Sequence, residues 1–189
     1  MIPTVVIIVI IAFILIFIVV VYNTLIYRKN EVKNAFGSMD VMLIKRYDLI
    51  PNLVETVKAY MQHEEKVLTE ITSLRTRYND LPSQKDKVNA SSDLEKRMNT
   101  VWMNVENYPQ LKASENFIRL QGAWNQTEEE IAAARRYYNS AVTMYNTAIE
   151  SFPSNILAGM LSLKPMAVYE ISEAERGNLD AGQLFGQGK

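Results

Sequence analysis

The sequence contains no cysteine and a single histidine, His63. The absence of cysteine excludes disulfide bonds, thiolate metal sites and lipid attachment at a cysteine. One histidine supplies neither the paired histidines of a metal site in a helical bundle nor the second histidine of a metalloprotease helix. We therefore expect no metal, no cofactor and no small-molecule substrate, and we predict a protein that is not an enzyme.

Basic runs and nucleophile motifs are also missing. The formal net charge is −1, from 20 Lys and Arg against 21 Asp and Glu, and no basic run exceeds two residues. Nucleic-acid binding needs a basic stripe, so nucleic acid is not an expected partner. The chain has neither a Gly-x-Ser-x-Gly sequence nor a phosphate-cradling glycine loop. The acidic run 128–130 is interpreted as a solvated helix face, with a carboxylate site for Mg²⁺ or Ca²⁺ as the less favoured alternative.

What the sequence does contain, near its start, is the unbroken apolar run 5–21. As a helix, residues 2–22 would span about 30 Å, the hydrocarbon thickness of a bilayer. No basic residue precedes the run and no Ala-x-Ala pattern follows it, so we interpret it as an uncleaved single-pass anchor in the cell membrane. Because Arg28, Lys29 and Lys33 follow the run, the positive-inside rule predicts a short N-terminus outside and a cytoplasmic helical domain.

The rest of the chain carries apolar residues at alternating spacings of three and four, which indicates amphipathic helices. Gly37-Ser38 is interpreted as a weak point, with Asp40 as a cap for the helix that follows. Pro51 is expected to start or kink a helix that runs to about Tyr78. A further helix is predicted to start at the capping residues 90–93 and to end before Pro109.

The longest pattern covers 117–152, and its repeat close to 3.5 residues predicts packing in a bundle. The apolar segment 156–161 is expected either to fold over the bundle end as one or two helical turns or to touch the membrane surface. The predicted fold class is all-α, with an N-terminal transmembrane helix followed by an extended antiparallel helical bundle. We divide the chain into an anchor (1–22), a helical bundle domain (23–165) and a flexible C-terminal tail (166–189).

Blocks of sequence lie in a fixed order along the bundle region. They are KRYDLIPNLV at 45–54, VKAY at 57–60, ASENF at 113–117, IAAARRYYN at 131–139 and SFPSN at 151–155. Together they resemble the LemA family over residues 22–165. The resemblance implies a bacterial membrane protein with a small external N-terminus and no established activity. Some LemA-like proteins are linked to envelope stress or membrane organisation, and relatives in magnetosome-forming bacteria are implicated in forming membrane organelles.

Several polar residues fall among predicted core positions and form the candidate site. They are Asp48, Asn52, His63, Glu115, Asn116, Arg135, Arg136, Tyr138, Asn139, Tyr145 and Asn146. One hypothesis is a buried network that fixes helix register, for example by pairing Asp48 or Glu115 with Arg135 or Arg136. The other is a groove that grips a partner helix or peptide. Lys45 and Arg46, adjacent on their helix, are expected to face water.

The preferred functional hypothesis is a non-catalytic, membrane-anchored scaffold or adaptor of the cell envelope. It would act as a homo-oligomer or by binding other envelope proteins. The alternative is a regulatory subunit of a membrane enzyme such as a protease. A hydrolase that uses Glu64 or the carboxylates of 128–130 is the least favoured hypothesis.

Overall fold

The computed structural model describes residues 2–61 and 65–169, and within these ranges the chain is helical with turns and one extended segment. The helices are α1 (Ile2–Asp48), α2 (Ile50–Lys58), α3 (Glu65–Tyr78), α4 (Gln84–Val105), α5 (Pro109–Lys112), α6 (Glu115–Glu150) and α7 (Ser154–Met160). The predicted fold class is confirmed: a long apolar N-terminal helix that could cross a membrane leads into a helical bundle.

Helix α1 contains both the apolar run and one side of the bundle. It has 47 residues and is therefore about 70 Å long. Up to Tyr22 its large apolar side chains are mostly exposed, and burial begins at Leu25 and recurs with helical spacing as far as Tyr47. The same helix thus changes from a candidate membrane span, in which no residue is buried, to a core element.

The predicted weak point at Gly37-Ser38 is wrong, because α1 runs through it without interruption. Ala35 and Met39 on either side are fully buried, so packing outweighs the poor helix propensity of glycine. The Ser38 hydroxyl donates to the carbonyl of Asn34 (3.2 Å), as in an ordinary helix interior. Asp40 is consequently not a helix cap.

Helix α6 runs antiparallel to α1. Arg28 Nη1 lies 3.5 Å from Met144 Sδ, and the rings of Phe36 and Tyr138 meet edge to face at 5.8 Å. Further along, Arg46 binds Glu128 on α6. As residue numbers rise on α1 they fall on α6, which confirms the antiparallel packing expected from the sequence.

The end of the bundle remote from the apolar run has four helices, because α2 packs on α6 and α3, and α3 packs on α4, which reaches α6 through side chains. Pro51 lies in the first turn of α2, as predicted, but the helix expected to reach Tyr78 is divided into α2 and α3. Helix α4 begins at Gln84, earlier than predicted, because the Ser83 hydroxyl caps it by accepting from the amide of Asp86 (3.1 Å). Its Trp102 packs edge to face on Phe117 and Trp124 of α6.

The end nearer the apolar run is a two-helix hairpin completed by the C-terminal part of the chain. After α6, the short helix α7 packs on α1 and α6, and it lies where one or two turns over the bundle end were expected. The chain then reverses, and residues 163–169 lie extended along α6; we call this segment the C-terminal strap. The predicted tail, 166–189, therefore begins inside the strap, and its residues 170–189 lie outside the described ranges.

Candidate functional site

The predicted polar residues of α6 hold the C-terminal strap through its backbone. Asn146 Nδ2 donates to the carbonyl of Met166 (2.8 Å), and Asn146 Oδ1 accepts from the amide of the same residue (2.9 Å). Asn139 repeats this pair of bonds with Tyr169, at 3.0 Å to the carbonyl and 2.7 Å from the amide. Each asparagine therefore satisfies both polar groups of one strap residue, as a neighbouring β-strand would.

The spacing of the two asparagines matches the spacing of the strap. Asn139 and Asn146 are seven positions apart on one face of α6, which is about 10.5 Å along a helix axis. Met166 and Tyr169 are three positions apart, which is about 10 Å along an extended chain. Two turns of helix thus present amides at the repeat that an extended peptide needs.

Two tyrosines of α6 with the same seven-residue spacing complete the contact. The Tyr145 hydroxyl donates to the carbonyl of Lys164 (3.1 Å), and the Tyr138 hydroxyl donates more weakly to that of Ala167 (3.4 Å). Burial raises the pKa of both tyrosines above the ordinary value, so both keep the proton that they donate.

Arg135 completes the site at the end of the strap. Its guanidinium lies 4.6 Å from the centre of the Tyr169 ring, in cation–π geometry, and Tyr169 is only 8% exposed. Arg135 also reaches Glu95 on α4 at 3.5 Å. The end of the strap is therefore connected to the four-helix part of the bundle.

The other predicted site residues lie elsewhere, and the suggested pairings of Asp48 or Glu115 with Arg135 or Arg136 are wrong. Asp48, where α1 ends, faces α3 and pairs with Arg75 at 3.7 Å. Glu115 begins α6, far from Arg135 along the helix, and it pairs with Arg119 one turn away. Arg136 is exposed. Asn52 and Asn116 line an open groove between α2 and α6, and His63 lies outside the described residues.

Arg46 has a role that the sequence did not predict. It was expected to face water, but its side chain is fully buried. Nη1 donates to Glu128 Oε1 (3.0 Å), while Nη2 donates to the Ser91 hydroxyl (2.6 Å) and carbonyl (3.1 Å). The guanidinium lies 6.0 Å from the centre of the Trp124 ring. Arg46 therefore joins α1, α4 and α6.

A second network beside Arg46 connects α1 to the α3–α4 hairpin. Asp40 accepts from the Tyr78 hydroxyl (2.7 Å) and from Lys87 Nζ (2.6 Å). Burial and the Asp40 carboxylate raise the pKa of Tyr78 above the ordinary value. Tyr47 stacks on Tyr78 at 4.3 Å and donates to the carbonyl of Ala90 (2.9 Å), and burial raises its pKa to about 12.

The acidic run 128–130 is only partly a solvated face. Glu128 serves the buried Arg46, and Glu130 accepts from Lys45 Nζ at 2.6 Å across the helix pair. This hydrogen bond is the main cause that lowers the pKa of Glu130. Within residues 2–61 and 65–169, no group of three or more His, Cys, Asp or Glu side chains is placed to hold a metal ion.

These polar side chains bind the backbone of the strap or connect one helix to another. The arrangement is therefore suited to binding a polypeptide segment. The fold and site define a helical-bundle protein with an N-terminal helix apolar enough to cross a membrane and with a face of α6 that binds an extended segment of its own chain. The chain belongs to the LemA family, whose family model matches residues 35–180.

The chain is also similar to three curated proteins, one of which carries the family's name. Protein LemA of Metamycoplasma hominis is 28% identical over 163 residues, which cover 86% of this chain and 74% of the relative. Magnetosome proteins MamQ 1 and MamQ 2 of Paramagnetospirillum magneticum are each 20% identical over 190 aligned positions, covering 87% of this chain and 70% of the relative.

Proposed function

We propose that this protein is a non-catalytic, membrane-anchored scaffold or adaptor of the bacterial cell envelope, acting by self-association or by binding other membrane proteins. The observation that carries the proposal is the continuity of α1, which joins an apolar span to the bundle within one helix. A bundle built on that helix stays at a fixed distance from the bilayer, which suits a protein that positions partners. Arg28, Lys29 and Lys33 follow the span, and under the positive-inside rule these charges support a cytoplasmic bundle.

The strap already occupies one face of α6, so a partner protein would have to bind elsewhere on the bundle. Asn139 and Asn146 of α6 both hydrogen-bond the backbone of the strap, so they are already used by the chain itself. The groove between α2 and α6, of about 630 Å³, is open and lies at the four-helix end. Its lining includes Asn52, Tyr60, Asn116 and Arg119. Tyrosine and arginine are enriched in protein interfaces, so we assign partner binding to this groove.

Two relatives are described as magnetosome proteins, and we extend to this chain the role in membrane organisation that the family resemblance implies. In this protein the same role would consist of gathering either further copies of the chain or other proteins at the membrane. Crosslinking distinguishes these two cases. We further propose that a role in envelope stress would depend on the identity of the membrane proteins that this chain binds.

Photo-crosslinking in the native membrane tests the proposal. A photoreactive amino acid is placed at Tyr60 or Asn116 in the groove and, as a control, at Lys96, an exposed position on α4. We expect adducts from the groove positions, either with a second copy or with another membrane protein, and few from Lys96. An adduct with one enzyme whose activity changes on deletion of this protein would favour the regulatory-subunit alternative. Absence of adducts at all positions would contradict the proposal.

A further inference from the structure

We propose that α7 is an interfacial helix that rests on the bilayer surface beside the α1 span. Ile156 and Met160 are four positions apart and share one face of α7, with exposed fractions of 60% and 78%. Phe152, in the turn just before the helix, is 82% exposed. These three side chains form what we call the α7 apolar patch.

The opposite face of α7 holds the helix in place. Ala158 is 2% exposed and Leu157 packs against the bundle core. The Ser154 hydroxyl donates to the carbonyl of Ala148 (2.6 Å) and so attaches the start of α7 to the end of α6. Because these contacts fix its inner face, α7 presents the apolar patch outward and cannot bury it by rotating.

The register of the α1–α6 pair places α7 where the apolar span ends. Arg28 meets Met144, so α6 reaches its last residue, Glu150, at about the level of Tyr22 on the antiparallel α1. The exposed apolar surface of α1 ends at this level, and α7 follows directly and packs on α1. The α7 apolar patch therefore continues the apolar surface of the span.

The charges around this level suit a lipid surface. Lys29 on α1, two turns beyond Tyr22, is exposed, and so is Lys164, whose carbonyl the Tyr145 hydroxyl fixes within two turns of the end of α6. Among residues 2–61 and 65–169, the exposed acidic residue at the same end is Glu150. An apolar patch bordered by an excess of lysines is the pattern of interfacial helices on anionic membranes.

The size of the patch favours lipid over a second copy of the chain. Three partly exposed side chains offer roughly 400 Å² in all. A stable protein interface buries about 600 to 1,000 Å² on each partner, so the patch alone is too small for a dimer. Insertion into the interfacial region of a bilayer has no such minimum, because the anchor already holds the helix at the surface.

The cysteine-free sequence gives a direct test with matched controls. Single variants Ile156→Cys and Met160→Cys carry an environment-sensitive fluorophore on α7. Ile118→Cys and Met103→Cys are the controls, because the native residues are the same types with similar exposure, 55% and 73%, at the four-helix end. The full-length variants, checked for helicity by circular dichroism, are reconstituted in phosphatidylcholine–phosphatidylglycerol vesicles with or without doxyl-labelled lipid.

The expected result is blue-shifted emission at positions 156 and 160 that doxyl lipids quench, with unshifted and unquenched emission at 118 and 103. Equal, unquenched emission at all four positions would overturn the inference. Blue-shifted emission at 156 and 160 without lipid quenching would also overturn it, because protein would then cover the patch. The result does not depend on which side of the membrane the bundle occupies, since α7 adjoins the span on either side.

Discussion

Arg46 offers the sharpest test of how the bundle is held together. Its side chain is fully buried, whereas its partner Glu128 keeps 30% of its side chain exposed. Removing one member of a buried pair costs about 3–5 kcal/mol of folding free energy. Hydration of the remaining Glu128 reduces this cost, while the cavity left by the long side chain and the unpaired Ser91 hydroxyl add to it. We expect Arg46→Ala to destabilise the protein by about 3–5 kcal/mol.

The neighbouring pair is the control. Lys45 and Glu130 form a hydrogen-bonded pair between the same two helices, but their side chains are 49% and 32% exposed. Solvent screens such a pair, so Lys45→Ala should change stability little. Arg46→Met keeps most of the volume without the charge and should lie between the two, because it restores packing and avoids the desolvation of a guanidinium.

The assay is urea unfolding of the full chain in detergent micelles, followed by tryptophan fluorescence. The two tryptophans, Trp102 and Trp124, both lie in the bundle, and Arg46 contacts the second. If Arg46→Ala unfolds at the same urea concentration as Lys45→Ala, the buried network contributes no more than a surface ion pair, which would refute the prediction.

Three further predictions follow from other parts of the molecule. Asn146→Ala should speed hydrogen exchange at the strap amides and lower the free energy of unfolding by about 1–3 kcal/mol, since two hydrogen bonds are lost. The control Asn125→Ala, on the exposed surface of α6, should do neither, and equal exchange in the two variants would contradict the strap contacts. Burial raises the pKa of Tyr47 from 10.0 to about 12, so the contribution of Tyr47 to stability is complete below pH 10 and is lost as the pH rises towards 12. The urea midpoint should therefore fall between pH 10 and 12, less steeply in Tyr47→Phe, and a midpoint that does not change with pH would refute this. Gly37→Ala and Gly122→Ala should each stabilise the protein by about 0.5–1 kcal/mol, because an added Cβ meets open space at both positions. A lower thermal unfolding temperature for Gly37→Ala would contradict this and would indicate a hinge at Gly37.

The sequence pattern predicts the helices best where apolar periodicity is long. The spacing over 117–152 anticipated α6 closely, and Pro51 marked the start of α2. Gly37-Ser38 misled because local propensity indicates a break, whereas burial of the flanking residues against α6 decides in favour of a continuous helix. Such tertiary packing is not visible from neighbouring residues in the sequence.

The sequence predicted several residues of the candidate site but not the groups to which they bind. Asn139 and Asn146 are polar residues on a core-facing stripe, so the sequence marks them as unusual, but their spacing does not identify the strap as the segment that they bind. Arg46 follows the buried Leu43 by three positions, so the same periodicity placed it on the core side. Its long charged side chain favoured a solvent-exposed interpretation, because burial of a cation depends on partners, Ser91 and Glu128, that are distant in sequence.

The mass and composition of the particle extracted gently from its native membrane test the scaffold proposal most directly. We expect a particle heavier than one chain, built of several copies or of this chain with another membrane protein. A single chain in its detergent micelle, recovered under conditions that preserve known membrane complexes, would contradict the proposal.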